Sequence, residues 1–224
     1  MKTPILSLLS AVAILTSVTA SAADALKDAA HPKFGGDGFT VVFDGKDMSN
    51  LKTDGNWKVQ DDGTLDLVPR PGEKGWTRYG SYLWLKGDYA DFIVDFEFKY
   101  GKGGNSGLYF RIGDEKDATA SGFEIQILDS HGAKKELGHH DMGGVIRTTG
   151  PLGNASKPAG EWSRMTASLQ DGQLKVILNG KLVQEFNLAE KKDAKKELAP
   201  KGKIAIQDHG QPFSVRNIQV KRLD

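Results

Sequence analysis

Gly122-Phe-Glu-Ile-Gln-Ile-Leu-Asp129 alternates apolar and polar side chains with a period of two. In a strand, that period puts Phe123, Ile125 and Ile127 on one face and Glu124 and Gln126 on the other. A carboxylate and a planar amide shown from the open face of a half-buried strand suit the holding of sugar hydroxyls. Two further segments share the habit. Asn105–Ile112 places Leu108, Phe110 and Ile112 on its apolar face and Asn105, Gly107, Tyr109 and Arg111 opposite. Around Lys203–His209, Ile204 and Ile206 point inward, and Ala205, Gln207 and His209 point outward. The bland alternative is a solvated face in which Glu124 and Arg111 form a cross-strand ion pair. It explains His209 poorly, because this residue stands between a strand and the turn at Gly210, where loops on a rigid sheet carry function.

Other clusters point less clearly to chemistry. His139, His140 and Asp141, with Asp129 and His131 upstream, hold enough nitrogen and oxygen donors for a divalent metal, but their spacing fits no specific motif and a polar loop is the simpler reading. Gly101-Lys-Gly-Gly-Asn-Ser-Gly107 has Ser106 in place of the last glycine of a dinucleotide fingerprint, and a strand follows where a helix is required, so it reads as a turn. Trp76, Tyr79, Tyr82 and Trp84 read either as a stacking platform or as packing. No serine sits in a nucleophile-elbow context.

The elements that must position these groups are short strands divided by Gly, Asn and Asp. Expected strands run over 39–43, 57–60, 64–68, 81–85, 92–100, 106–112, 123–128, 162–169, 173–178, 181–186, 203–207 and 213–221. This pattern predicts an all-β sandwich or barrel. Asn179-Gly180 signals a tight hairpin, because both central positions of such a turn need positive φ. The charged stretch 188–198 reads as a solvated loop, residues 23–38 as a mobile lead-in, and 39–224 as one domain.

Residues 1–22 combine Lys2, an apolar run from Ile5 to Val18 and the small-residue end Ala20-Ser-Ala22, the form of a cleaved export signal that directs a protein to the periplasm or beyond the cell. Its removal takes away Lys2 and no acid, so 30 basic against 29 acidic residues become equal in number. A balanced chain offers no electrostatic footprint for nucleic acid or an anionic membrane, and its partners should be small or neutral. Without cysteine, stability must come from a packed core rather than from disulfides.

Six blocks, taken in order, resemble one family: Phe43-Asp-Gly-Lys-Asp-Met-Ser49, Gly104-Asn-Ser-Gly-Leu-Tyr-Phe-Arg111, Gly122–Asp129, Glu161-Trp162, Leu178-Asn-Gly180, and Ile206-Gln-Asp-His-Gly210 followed by Val215-Arg-Asn-Ile218. The chain is similar to the 3-keto-disaccharide hydrolases, also described as 3-keto-glucoside 1,2-lyase and 3-keto-2-hydroxyglucal hydratase domains. The resemblance implies a concanavalin A-like lectin/glucanase jelly roll of two antiparallel sheets with the sugar on the concave one. It also implies cleavage of glycosides already oxidised at carbon 3, by proton abstraction at carbon 2, β-elimination of the aglycone and hydration. On this basis Glu124, His209 and Arg111 are expected to be catalytic, and Asn105, Tyr109, Gln126, Gln207 and Asp208 to bind substrate. A divalent cation held by Asp129 with Glu124 and His209 is a further expectation, and an exported sugar 3-oxidoreductase is the implied pathway neighbour. The rival from another class is a noncatalytic carbohydrate-binding module of the same fold. Two departures from the family pattern stand out, Gly143-Gly-Val-Ile-Arg147 where a Tyr usually ends the segment, and Asn50-Leu51 where a Trp is usual.

Overall fold

A computed structural model describes residues 26–133, 135–190 and 199–224. The expected export signal and most of the 188–198 loop lie outside the described residues.

Antiparallel strands form two sheets. In chain order they are β1 (Thr40–Phe43), β2 (Leu51–Lys52), β3 (Trp57–Val59), β4 (Leu65–Leu67), β5 (Leu83–Tyr89), β6 (Phe92–Tyr100), β7 (Asn105–Ile112), β8 (Phe123–Leu128), β9 (Ser163–Gln170), β10 (Gln173–Leu178), β11 (Lys181–Asn187), β12 (Gly202–Ile206) and β13 (Phe213–Arg222). The larger sheet has the order β11-β10-β9-β6-β13-β4-β3, with β1 also paired to β13; the smaller has the order β2-β5-β12-β7-β8. This is the expected jelly-roll sandwich. The short β2 was not among the expected strands.

Alternation dictates the core. Leu108 and Phe110 of β7, Phe123, Ile125 and Ile127 of β8, and Ile204 and Ile206 of β12 are buried against the inward residues of β6, β9, β10 and β13. Sheet faces packed in this way bury about 1.5–3 kcal/mol per large apolar side chain, enough to hold a domain without disulfides. Asn179 and Gly180 close the β10–β11 hairpin at positive φ, with Leu178 opposite Lys181.

Residues 26–38, expected as a mobile lead-in, dock on the larger sheet. Asp28 bridges Lys181, the Ala29 amide donates to the Gly180 carbonyl, and Leu182 N–H donates to Lys27 O. Farther on, His31 accepts from Gly180 N–H and meets Thr166 Oγ1 at 2.7 Å, while Gly35 N–H donates to Gln219. The composition of the segment is loop-like, but its backbone groups find partners along the sheet.

Candidate active site

The outer face of the smaller sheet carries a cavity of about 300 Å³, lined by Trp76, Asn105, Tyr109, Thr119, Glu124, Gln126, His140, Ile146, Arg147, Gln207 and His209. Strand register explains why a hollow exists there. Glu124 on β8 stands opposite Tyr109 on β7, which stands opposite Ala205 on β12, which stands opposite Trp84 on β5. In the next row Gln126 faces Gly107. Gly107 and Ala205 are low points between large neighbours. A Cβ at Gly107 would lie 2.3 Å from Glu124 Oε1, so the carboxylate occupies the space that the glycine leaves open.

Glu124 is 9% exposed, and its Oε2 accepts a 2.7 Å hydrogen bond from the Tyr109 hydroxyl. Burial, with Glu124 and Tyr82 nearby, pushes the Tyr109 phenol far above its ordinary range and keeps it a neutral donor. Tyr82 is raised for the same first reason and donates to the Trp76 carbonyl at 2.7 Å. Gln207 Nε2 lies between the two hydroxyls, at 3.3 Å from Tyr82 and 3.4 Å from Tyr109, while its buried Oε1 has no hydrogen-bond partner among the described residues. Gln126 Nε2 donates to Asn105 Oδ1 at 3.0 Å. The floor is therefore a carboxylate braced by a phenol and flanked by three planar amides.

His209 enters from the turn after β12. Desolvation lowers its pKa below the ordinary 6.5, against the opposing pull of its backbone hydrogen bond and of Asp208 and with Arg78 adding to the shift, which favours the neutral imidazole. The turn is anchored from behind. Asp208, fully buried, accepts from Arg78 Nη2 at 2.8 Å and from Gly210 N–H at 2.7 Å.

A carboxylate and a neutral imidazole facing one cavity, among amides able to bind hydroxyls, suit acid–base chemistry on a sugar. Residues 38–221 match the 3-keto-alpha-glucoside-1,2-lyase-like domain. The chain belongs to this family. It is thus a carbohydrate-active enzyme of the 3-keto-disaccharide hydrolase group. A 3-keto-disaccharide hydrolase of Bacteroides thetaiotaomicron is 26% identical over 231 residues, covering 84% of this chain and 79% of that protein. A Parabacteroides distasonis protein described as a glycosyl hydrolase is 28% identical with a TM-score of 0.69, over 83% of this chain and 99% of that one. The carbohydrate-binding module CBM66 from Bacillus subtilis shares the fold alone, with 13% identity and a TM-score of 0.52 over 82% of this chain and 95% of that one.

Within this member of the 3-keto-alpha-glucoside-1,2-lyase-like family, the cavity brings together Glu124, His209, Asn105, Tyr109, Gln126 and Gln207. Arg111 is excluded. At φ +53 it breaks the alternation of β7, and the strand pairing of β12 shifts between Lys203 and Ala205 at the same level. Its side chain then leaves the open face and donates to the carbonyls of Ala90 and Ala199, and pairs with Asp91 at 3.2 Å. The cross-strand pair with Glu124 does not form, because Tyr109 is the residue opposite Glu124. Asp208 supports the His209 turn and does not line the cavity.

Asp129 is likewise elsewhere. Its carboxylate accepts from Gly103 N–H at 2.9 Å and ties down the turn before β7, so it does not join Glu124 and His209 in a ligand set. Among the described residues no three His, Asp or Glu side chains gather as a metal site. In the 129–141 loop, Asp141 is taken up by Gly138 N–H, Ser130 and Lys135, and His131 meets the Ser156 carbonyl at 3.0 Å.

Sequence reasoning passed over Ile146, Arg147 and Thr119 as lining residues. The segment 143–149 reaches the site by pairing with the free edge of β8: Gly143 N–H donates to Gln126 O, Gln126 N–H to Gly144 O, and Ile146 N–H to Glu124 O. Thr119 lies on the one-turn helix α1 (Ala118–Ser121) and is bonded by the Tyr79 hydroxyl at 2.8 Å. Trp84 and Tyr82 are packed into the sheet face, whereas Trp76, 41% exposed, stands at the cavity margin.

Proposed function

We propose that this protein cleaves 3-keto-glycosides by elimination and rehydration, with His209 as the base. The carrying observation is that a neutral imidazole and a braced, buried carboxylate face one cavity. A ketone at carbon 3 acidifies the proton at carbon 2. His209 takes that proton, the enolate collapses, and the bond from carbon 1 to the aglycone oxygen breaks to give a 3-keto-2-hydroxyglucal. The proton gained by His209 passes to the departing oxygen. Water then adds at carbon 1 with a proton returned to carbon 2. The amides of Asn105, Gln126 and Gln207 supply donors for the enolate oxygen. Glu124, its orientation set by Tyr109, holds a sugar hydroxyl. Asp129, expected to join Glu124 and His209 around a cation, is instead bonded to the Gly103 amide, and the scheme uses side chains alone.

The test is incubation of the purified protein with a 3-keto-glucoside in D2O, with and without a chelator. Deuterium at carbon 2 together with aglycone release is the expected result. Loss of both on chelation would bring a cation into the chemistry. Absence of both in every condition, alongside measurable oligosaccharide binding, would replace this reading with the carbohydrate-binding module.

We infer further that residues 1–22 direct export and that a sugar 3-oxidoreductase outside the cytoplasm supplies the ketone. The charge, apolar run and small-residue end of that segment support the first step, and the substrate's oxidation state supports the second. A mature N-terminus following Ala22 in an exported fraction is the expected outcome, and intact Met1 in the cytoplasm the contrary one.

A further inference from the structure

Among the described residues, Arg147 is the one permanently cationic side chain lining the cavity. Its guanidinium makes no ion pair or hydrogen bond among the described residues, which sets it apart from the other arginines. Arg78, Arg111, Arg164 and Arg216 pair with Asp208, Asp91, Asp95 and Glu97, Arg70 pairs with Glu73, and Arg222 stacks on Tyr89. An arginine left unpaired beside a binding cavity keeps its planar fork of donors available to a ligand.

Its position is built rather than incidental. Val145 bridges Ile125 on β8 and accepts the amide of Thr148 at 2.9 Å, and Val145 N–H donates to Thr149 O at 2.9 Å, so residues 145–149 close a tight turn on the sheet edge. Arg147 occupies that turn at φ +58, a left-handed conformation that costs a side-chain-bearing residue on the order of 1 kcal/mol and that glycine would adopt freely. Its amide donates to His139 Nδ1 at 3.2 Å, which fixes the turn from the other side. The adjoining His139 and His140 rings lie 4.1 Å apart and add no negative charge. Glu124, the cavity's carboxylate, is on the floor and already bonded to Tyr109.

We propose that Arg147 selects substrates carrying a carboxylate, with the sugar ring on the Glu124 floor and the acid group bound by the guanidinium at the cavity's margin. This rests on the reading of the cavity as a 3-keto-glycoside site. Two sources of the acid share the chemistry, a carboxylate at carbon 6 of the sugar or one on the aglycone. In either, a forked charge-assisted contact at a solvent-facing position should favour the acid by about tenfold at low salt, and less as salt rises.

The test compares kcat/KM for phenyl 3-keto-glucoside, its para-carboxyphenyl analogue and phenyl 3-keto-glucuronide, in the wild type and in Arg147→Met and Arg147→Lys. The expected result is a preference of about tenfold for one acid, reduced in Arg147→Lys and lost in Arg147→Met. Which acid is preferred identifies the source. A ratio near one for both acids in the wild type, or a preference that survives in Arg147→Met, overturns the proposal. Calorimetric binding of the corresponding unoxidised glucosides and glucuronide gives the same ratios without turnover. An enzyme that fails to act on any keto-glycoside but still binds the acids more tightly through Arg147 would therefore sink the catalytic reading and leave the carboxylate site standing.

Discussion

Gly107 shows how finely one position sets the chemistry. Its missing side chain is the space into which Glu124 folds, so Gly107→Ala should displace the carboxylate and cut kcat/KM by roughly 10²-fold, with the circular dichroism spectrum unchanged. His209 is open to a sharper test. Its pKa lies below 6.5 through desolvation, so a rate that needs the neutral imidazole should be full at pH 7 and fall as pH drops through a midpoint beneath 6.5. His209→Ala should lose roughly 10²-fold in turnover and that acid limb with it. A pH–rate profile that keeps the same limb in the variant would assign the proton transfer to Glu124 instead. Glu124 and Gln126 were legible as a face because β8 alternates without interruption, and Gln207 because it keeps the parity of Ala205 just past the end of β12. Arg147 was not, since nothing local says that a loop following β8 turns back onto that strand's edge.

At the scale of elements, β7 decides which arginine belongs to the site. Parity counts Arg111 with Tyr109, but the irregularity near its end sends the guanidinium to Ala90, Ala199 and Asp91. Arg111→Ala should therefore cost roughly 2–3 kcal/mol of stability, read from denaturant unfolding, and alter kcat/KM by no more than a few-fold. A loss of turnover without loss of stability would return Arg111 to the mechanism. A bulge of this kind is nearly invisible in sequence, because it depends on how β12 pairs with β7 rather than on the residues of β7 alone. Asp129 could be suspected in advance, as it falls off the alternation of β8, yet its partner, the Gly103 amide, is known only from the fold.

Over the whole molecule, the docked segment 26–38 ties the N-terminal side of the domain to the larger sheet, far along the chain from its partners. The buried Asp95 joins Arg164, Thr166 and Gln219, and Arg164 also donates to the Pro32 carbonyl. His31, lowered below 6.5 first by burial and then by Arg164, binds a proton less readily than it does in the unfolded chain. The stability that it contributes is thus complete above about pH 6.5 and declines as pH falls below that value. Thermal melts should show a drop in Tm on going from pH 7.5 to 5.5, and the drop should be shallower in His31→Gln. An equal drop in both proteins would place the titration elsewhere.

Sequence by itself determined the all-β class, most strand positions, the Asn179-Gly180 hairpin and the polar face of β8, because period-two alternation and turn chemistry are local properties of the chain. It also carried the family resemblance. Only the tertiary structure decided the membership of the site. Small residues on neighbouring strands open the cavity, a break in β7 removes Arg111, a turn amide claims Asp129, and a loop paired with the β8 edge delivers Arg147. Each of these depends on which backbone groups from distant segments meet, and alternation within one strand carries no information about that.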